Sequence, residues 1–255
     1  MIGIVALQSG SVWTPALLVA SACAVGSFIG TLVHRLPIGG SVTLSRSVCP
    51  HCGECLAARD LVPLLSWILL HGRCRFCGTS IGWFYPAIEI AALAIAAWAS
   101  TRSSGVALWA SCAFGWLLLA LAVIDWRHYL LPDVLTLLLA AGGIAWAAWQ
   151  EPADFDAHVL GALCGFAAFA LVAWTYRRLR DREGLGLGDA KLLAALGSWV
   201  TWRGLPDAVA LAAALALLVA LIQRKALDPA AKVPFGSYLA LAGWLVWLYG
   251  PFVFG

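Results

Sequence analysis

Long apolar stretches constrain this chain more than any other feature of its sequence. An apolar helix of about 18 residues or more is long enough to cross the roughly 30 Å hydrocarbon core of a bilayer. The chain is 62% apolar and 11% charged, whereas soluble domains average roughly 25% charged residues. This composition excludes an ordinary soluble enzyme and a disordered chain. Eight stretches qualify as spans: Val12–Val33, Trp83–Ser100, Val106–Ile124, Leu130–Trp149, His158–Tyr176, Leu185–Val200, Leu205–Ile222 and Val233–Tyr249.

The predicted fold class is therefore all-α, a polytopic membrane helix bundle with about eight transmembrane helices. The apolar segment Leu61–Leu70 is too short to span, so we expect it in the membrane interface or against the bundle. A cleavable signal peptide needs basic residues before its apolar core, and the first basic residue is Arg35. The first span is therefore expected to be retained.

The placement of Lys and Arg predicts the orientation of the spans. If the N-terminus lies outside, 13 of the 16 Lys and Arg residues fall in inside loops, and only Arg102 and Arg203 fall outside. Inside loops carry the excess of positive charge in membrane proteins. The longest polar stretch, about residues 35–82, is then cytosolic. The net charge of +3 is modest, and we expect the lipid bilayer, not nucleic acid, as a partner.

Two C-x-x-C pairs lie in this cytosolic stretch. Cys49 and Cys52 form the first pair and Cys74 and Cys77 the second, with 21 residues between Cys52 and Cys74. This spacing suits one tetrahedral Cys₄ zinc site of the structural kind, in which protein fills every metal position. A rubredoxin-like iron site has similar ligands, and free buried thiols are the other alternative. Disulfides are disfavoured in a reducing cytosol.

The residues around the cysteines add detail to this prediction. Gly53 and Gly78 each follow the second Cys of a pair, where a tight turn often needs a positive φ. Cys55 is a spare thiol close by, and His51 is an alternative ligand.

Acidic residues within or at the edge of a span are costly and are therefore functional candidates. Glu89, Asp125, Asp133 and Asp189 qualify, and Lys191 is the basic residue of this kind. Asp125 ends the third span and Asp189 begins the sixth, so the predicted topology puts both at the cytosolic face. Two aspartates brought together can share a proton and activate a water molecule.

Each acidic residue also has a plainer interpretation. Asp189 is a suitable helix N-cap, and Asp125 could be a solvated interfacial residue. Asp133 could charge-match the first turn of a helix, and Glu89 could be a buried polar group paired with Lys191 or a loop arginine. If the two aspartates do form a pair, the helix-end dipoles favour the shared proton on Asp125, at a C-terminal end, with Asp189 as the base.

Six motifs occur in one order along most of the chain. They are the opening Gly26–Pro37, the two C-x-x-C pairs, Tyr85–Glu89 (YPAIE), Asp125 with Leu131–Asp133 (LPD), Gly186–Gly197 (GLGDAKLLAALG) and Pro234–Ala240 (PFGSYLA). Together they resemble the motifs of the prepilin (type IV leader) peptidases. Two positions depart from the family pattern: Gly30 stands where the family usually has Asn, and Ser237 stands where it usually has Pro.

The resemblance implies a GxGD-type aspartic endopeptidase of the bacterial inner membrane. Such an enzyme removes the short basic leader from type IV prepilins or from the pseudopilins of type II secretion at the cytosolic face. The resemblance implies Asp125 and Asp189 as the catalytic pair. It also makes the four cysteines ligands of a structural zinc. Many members further N-methylate the new N-terminal residue with S-adenosylmethionine, so this second activity is expected here, although the motifs identify no residues that bind the methyl donor.

Three segments are predicted on this basis. Residues 1–34 form the first transmembrane helix with the opening motif, residues 35–82 form the cytosolic Cys₄ loop associated with methylation, and residues 83–255 form the peptidase core. Two other classes of function remain open: a non-enzymatic zinc-stapled scaffold for a pilus or secretion system, and a proton-coupled transporter built on intramembrane acids.

Overall fold

The computed structural model describes residues 14–38, 47–49, 51–180, 186–223 and 233–253. The predicted outside N-terminus and several predicted loop cations, among them Arg46, Arg182 and Lys225, lie outside the described residues. Within those ranges the regular structure is helical apart from two isolated β-bridges. The α-helices are α1 (Thr14–Arg35), α2 (Leu65–Leu69), α3 (Phe84–Ser100), α4 (Gly105–His128), α5 (Asp133–Gln150), α6 (Phe155–Arg180), α7 (Leu187–Ile222) and α8 (Phe235–Tyr249).

Among the described residues, five helices are long and apolar enough to cross a membrane, namely α1, α4, α5, α6 and α7. Two further apolar helices are shorter, with 17 residues in α3 and 15 in α8. Each predicted span coincides with one of these seven helices, except that the sixth and seventh spans both fall in α7. The all-α class is confirmed, and the transmembrane count of eight stays a prediction.

Helix α7 is interrupted where the sequence separates two spans. Its 36 residues would extend about 54 Å as a straight helix, far more than a bilayer needs. Thr201 has φ 59° and ψ 178°, so the helix breaks there, and Pro206 follows. Nδ1 of His158, a buried residue on α6, donates a hydrogen bond to the Ser198 carbonyl oxygen beside the break, at 2.9 Å. The boundary predicted between Val200 and Leu205 is therefore confirmed.

The chain forms two compact units, residues 1–112 and 113–255, with the boundary inside α4. In the first unit, α1 and α3 pack closely because α1 has glycines at the contact. A Cβ added to Gly26 would lie 2.7 Å from the Glu89 Cα, and one added to Gly30 would lie 2.8 Å from Cδ1 of Tyr85. The pairing runs in opposite directions along the two helices, so α1 and α3 are antiparallel.

The second unit is built on close contacts between α6 and α7. A Cβ on Gly197 would collide with the Gly161 carbonyl oxygen, and one on Gly165 would lie 2.7 Å from the Leu193 carbonyl oxygen. The backbones of the two helices therefore touch, which only glycine allows. Aromatic rings fill the adjoining core, where Phe114 stacks on Trp199 at a centroid distance of 4.6 Å. This packing fixes the position of α7, the helix that carries Asp189.

Candidate functional site

The four cysteines of the C-x-x-C pairs lie on two similar turns in the first unit. In each turn the first Cys accepts a backbone hydrogen bond from the following glycine, from Gly53 to Cys49 at 2.9 Å and from Gly78 to Cys74 at 3.0 Å. The two glycines have φ of 74° and 70°, as the sequence predicts. A β-bridge closes each turn, joining Val48 to Cys55 and Arg73 to Ser80.

The two turns repeat each other at a fixed offset of 25 residues, the separation of Cys49 and Cys74. The sequence shows no obvious repeat here, because only the cysteines and glycines match. Cys55 takes the place in the first turn that Ser80 takes in the second, so it is a bridge residue. It is absent from the cluster that the other four thiols form.

The geometry of the four thiols fits a single metal ion. The Sγ atoms of Cys49, Cys52, Cys74 and Cys77 all lie within 4.8 Å of one another, and those of Cys49 and Cys77 are 3.8 Å apart. Tetrahedral coordination with Zn–S bonds of about 2.3 Å would place the sulfurs about 3.8 Å apart. A hydrogen bond with the Thr79 side chain lowers the pKa of Cys77 to about 6, whereas burial and hydrogen bonds with the neighbouring thiols raise the pKa of Cys52, in the same cluster, to about 12.

The second unit brings Asp125 and Asp189 to one place. Asp125 lies in the last turn of α4 and is 5% exposed, and Asp189 lies in the first turn of α7. Leu131, in the connection after α4, lies beside Gly188 and Gly236, the residues next to Asp189 and to the Asp125 carboxylate. A Cβ on Gly188 would lie 3.2 Å from the Leu131 Cβ, and a Cβ on Gly236 would lie 2.9 Å from Leu131 Cδ1 and 3.1 Å from Asp125 Oδ2. The carboxyl groups are close enough for the charge of Asp125 to act on Asp189.

Comparison with known proteins shows the family of this chain. Two family models match in succession: the Bacterial Peptidase A24 N-terminal domain over residues 20–102 and the Type IV leader peptidase family over residues 112–221. A protein of Burkholderia pseudomallei (strain K96243) is 40% identical over 257 residues, covering 89% of this chain and 82% of its own length. The chain belongs to the type IV leader peptidase family. No solved structure gave a significant match.

Other members of the family are similar over comparable lengths. A protein of Aeromonas hydrophila is 35% identical, covering 89% of this chain and 87% of its own length. A protein of Dickeya chrysanthemi is 36% identical, covering 91% of both chains. All three relatives carry the name prepilin leader peptidase/N-methyltransferase. The resemblance inferred from the motifs is thus confirmed at the level of the family.

One contact of the carboxylate site involves a residue that the sequence did not single out as functional. The backbone N–H of Ser237, in the first turn of α8, donates to Asp125 Oδ2 at 2.8 Å, and the Ser237 hydroxyl lies 3.0 Å from the same oxygen. Ser237 is a position where this chain departs from the usual family residue, proline, which has no N–H to donate. That departure was the available signal, but only the fold shows that α8 meets the end of α4.

The other polar residues near spans have local partners. Lys191 Nζ donates to Asp133 Oδ1 at 2.7 Å. A Glu89 oxygen accepts the Leu64 N–H at 2.7 Å, which ties the segment before α2 to α3. Asp133 begins α5, as expected for an acidic residue in a first turn. Asp189 is the third residue of its helix, and Gly186 occupies the N-cap position.

Proposed function

We propose that this chain is a prepilin leader peptidase that also N-methylates the N-terminal residue it exposes. The observation that carries the proposal is the meeting of Asp125 and Asp189 in one site, in a chain of the type IV leader peptidase family. The names of its relatives favour an enzyme over a scaffold or a transporter. We take the substrates to be type IV prepilins or the pseudopilins of type II secretion, whose basic leader precedes an apolar helix.

The proposed cleavage is direct attack by water. One carboxylate accepts a proton from water while the water oxygen bonds to the scissile carbonyl carbon, and the protonated partner donates its proton to the carbonyl oxygen. The tetrahedral intermediate then loses its C–N bond, and the leaving amine takes up a proton from the carboxyl that gained one. One hydroxyl of the intermediate returns its proton to the other carboxylate as the new carboxylic acid forms, which restores the pair. No covalent enzyme intermediate forms, so no Ser or Cys nucleophile is required.

The placement in the membrane is part of the same proposal. We propose that α7 spans the bilayer twice through its break at Thr201 and that α3 and α8 span despite their shorter lengths, which gives eight spans. The Lys and Arg distribution then puts Asp125 and Asp189 at the cytosolic face of the bacterial inner membrane. A substrate helix could stay in the bilayer there, with its basic leader in the cytosol and the scissile bond at the interface.

The four cysteines are proposed to hold a structural zinc ion. Their sulfur spacing suits tetrahedral coordination, and four thiolates leave no open position for substrate. The ion would join the two cysteine turns, in which Cys49 and Cys74 are the buried apolar side chains among the described residues. The amine released by cleavage would be methylated with S-adenosylmethionine as the methyl donor, as the relatives' name implies.

The proposal is tested by incubating the purified, detergent-solubilised protein with a synthetic prepilin. Mass spectrometry reports loss of the leader and any added methyl group. Asp125→Asn and Asp189→Asn are each expected to lower the cleavage rate by about a thousandfold, within the range of general acid–base contributions. Asp156→Asn, at an exposed position of α6, is the matched control. Normal cleavage by either variant of the pair would refute its assignment, and gradient-dependent flux without cleavage would support the transporter alternative.

A further inference from the structure

The side chain of Asp125 meets the beginning of helix α8. Ser237 is the third residue of α8, and its N–H lies 2.8 Å from Asp125 Oδ2. Its hydroxyl oxygen lies 3.0 Å from the same Oδ2 and 2.9 Å from the Ala122 carbonyl oxygen. A Cβ on Gly236 would lie 3.1 Å from Oδ2, so glycine there lets the helix start approach. Asp125 therefore lies in the last turn of α4, while its carboxylate contacts the N-terminal turn of α8.

This arrangement bears on which carboxyl group carries the shared proton. The N–H of Ser237 can only donate, and it donates to Oδ2. If the hydroxyl donates as well, Oδ2 accepts two hydrogen bonds, and only Oδ1 is left to carry a proton. Two donated hydrogen bonds stabilise the ionised form of Asp125 more than its neutral form. In the other arrangement, the hydroxyl donates to the Ala122 carbonyl oxygen, and Oδ2 must be protonated to donate to the hydroxyl. The first arrangement therefore favours an ionised Asp125, and the second requires a protonated one.

The magnitudes favour the first arrangement. The dipole at the end of α4 disfavours the ionised form of Asp125 by roughly two- to fivefold. The N-terminus of α8 offsets this with a dipole of opposite effect at the same carboxylate. Each hydrogen bond donated to an ionised group shifts the protonation equilibrium toward the ionised form by roughly ten- to a hundredfold. The donors of Ser237 therefore outweigh the dipole of α4.

We propose that Ser237 is a positioning residue that holds Asp125 as the ionised, proton-accepting member of the pair, with the shared proton on Asp189. This rests on the proposed peptidase function and reverses the assignment that the helix dipoles alone would give. A proline at this position would have neither the N–H nor the hydroxyl donor.

Other charged groups at this end of the second unit must be considered in any pH experiment. They are Asp189 and Lys191 from α7, Asp133 from α5, Tyr238 from α8, and Arg127 and His128 from the end of α4 itself. Lys191 and Asp133 form an ion pair with each other. All of these groups remain in a variant of Ser237. A change in the pH profile of that variant is therefore due to the loss of the serine side chain.

The test compares Ser237→Ala, Ser237→Thr and Ser237→Pro by the pH dependence of kcat for leader cleavage. Loss of the hydroxyl in Ser237→Ala is expected to lower kcat about tenfold and to move the acidic limb of the profile up by about one pH unit, since the ionised base loses a donor. Ser237→Thr keeps a hydroxyl and is expected to restore the wild-type profile. Ser237→Pro is expected to move the acidic limb further than Ser237→Ala, because it loses both donors.

Several outcomes would overturn the proposal. An unmoved acidic limb in Ser237→Ala would do so, and so would a basic limb that moves to lower pH, which is the sign of a protonated Asp125. A change confined to KM or to thermal stability would leave Ser237 a structural residue. Full cleavage by Asp125→Asn would instead refute the proposed function, so the two failures are distinguishable. If Ser237→Pro does not fold, the comparison of Ser237→Ala with Ser237→Thr still tests whether the hydroxyl holds Asp125 in its ionised form.

Discussion

The cysteine cluster of the first unit and the carboxylate pair of the second are assembled in different ways. The cysteines come from two turns that repeat at an offset of 25 residues, and each turn is closed by its own hydrogen bonds. The aspartates are 64 residues apart in the chain and come from the ends of α4 and α7. The first site depends on local turn geometry, and the second depends on the packing of several helices.

This difference predicts which changes damage which site. Among the described residues of the cysteine turns, only the Cys49 and Cys74 side chains are buried, so the proposed zinc ion would supply most of the stability of these turns. The carboxylate pair has no such ligand, and its geometry follows from close helix contacts such as that between Gly161 and Gly197. A substitution that damages one site should therefore leave the other site intact.

The largest expected effect is loss of metal from the first unit. Cys74→Ala removes one of four ligands, and bound zinc, measured by elemental analysis of the purified protein, should fall from about one equivalent per chain to near zero. Cys55→Ala is the matched control, because Cys55 lies outside the cluster, and it should keep the metal. Asp189→Asn should also retain it, and loss of zinc in that variant would contradict the separation of the two sites.

The next effect concerns the packing behind the carboxylate pair. Gly197→Ala puts a methyl group against the backbone of α6, and such overpacking typically costs about 1–3 kcal/mol. The midpoint of thermal unfolding in detergent should fall, and leader cleavage should fall with it as α7 shifts. Gly82→Ala, where a Cβ meets nothing within 4 Å, should change neither. An unaffected Gly197→Ala would show that close contact of α6 and α7 is not required.

A smaller and graded effect is expected between α1 and α3. A Cβ on Gly26 meets the backbone of Glu89, whereas one on Gly30 meets the ring of Tyr85, a partly exposed side chain that can move. Gly26→Ala should therefore lower thermal stability more than Gly30→Ala. Equal losses would mean that the Tyr85 ring is as fixed as the backbone. The ratio of methylated to unmethylated product in Gly30→Ala would then test whether this contact supports the second activity.

The smallest effect is expected for the ion pair beside the carboxylate site. The side chains of Lys191 and Asp133 are 42% and 62% exposed, and exposed pairs contribute about 0–1 kcal/mol. Lys191→Met and Asp133→Asn should each change the free energy of unfolding by less than about 1 kcal/mol, and less at high salt. A larger loss, measured by denaturant unfolding, would assign the pair a part in holding α5 to α7.

Features that depend on neighbouring residues could be predicted from the sequence. Hydrophobic stretches gave the helices, because a helix satisfies its own backbone hydrogen bonds and needs length and apolarity. Two separate spans were predicted on either side of residues 201–204, and α7 breaks there, at Thr201. The positive φ of Gly53 and Gly78 followed from the spacing of the cysteines.

Contacts between distant helix ends could not be predicted in this way. The pattern around Ser237 describes the start of a helix, but nothing in it says that this start meets Asp125. Lys191 has several carboxylates within plausible reach in the sequence, and the register of α5 against α7 selects Asp133. Side-chain partners between helices depend on their packing, which is fixed by many contacts at once.

The sequence by itself determined the all-helical class, the four thiols and the family of the chain, because each depends on local spacing and composition. The tertiary structure decided that Leu131 lies beside Gly188 and Gly236 and that α8 begins at the carboxylate of Asp125. The physical reason is that a carboxylate far from bulk water depends on the donors that surround it. In this chain those donors come from a helix more than 100 residues away, as the 112-residue separation of Ser237 from Asp125 shows.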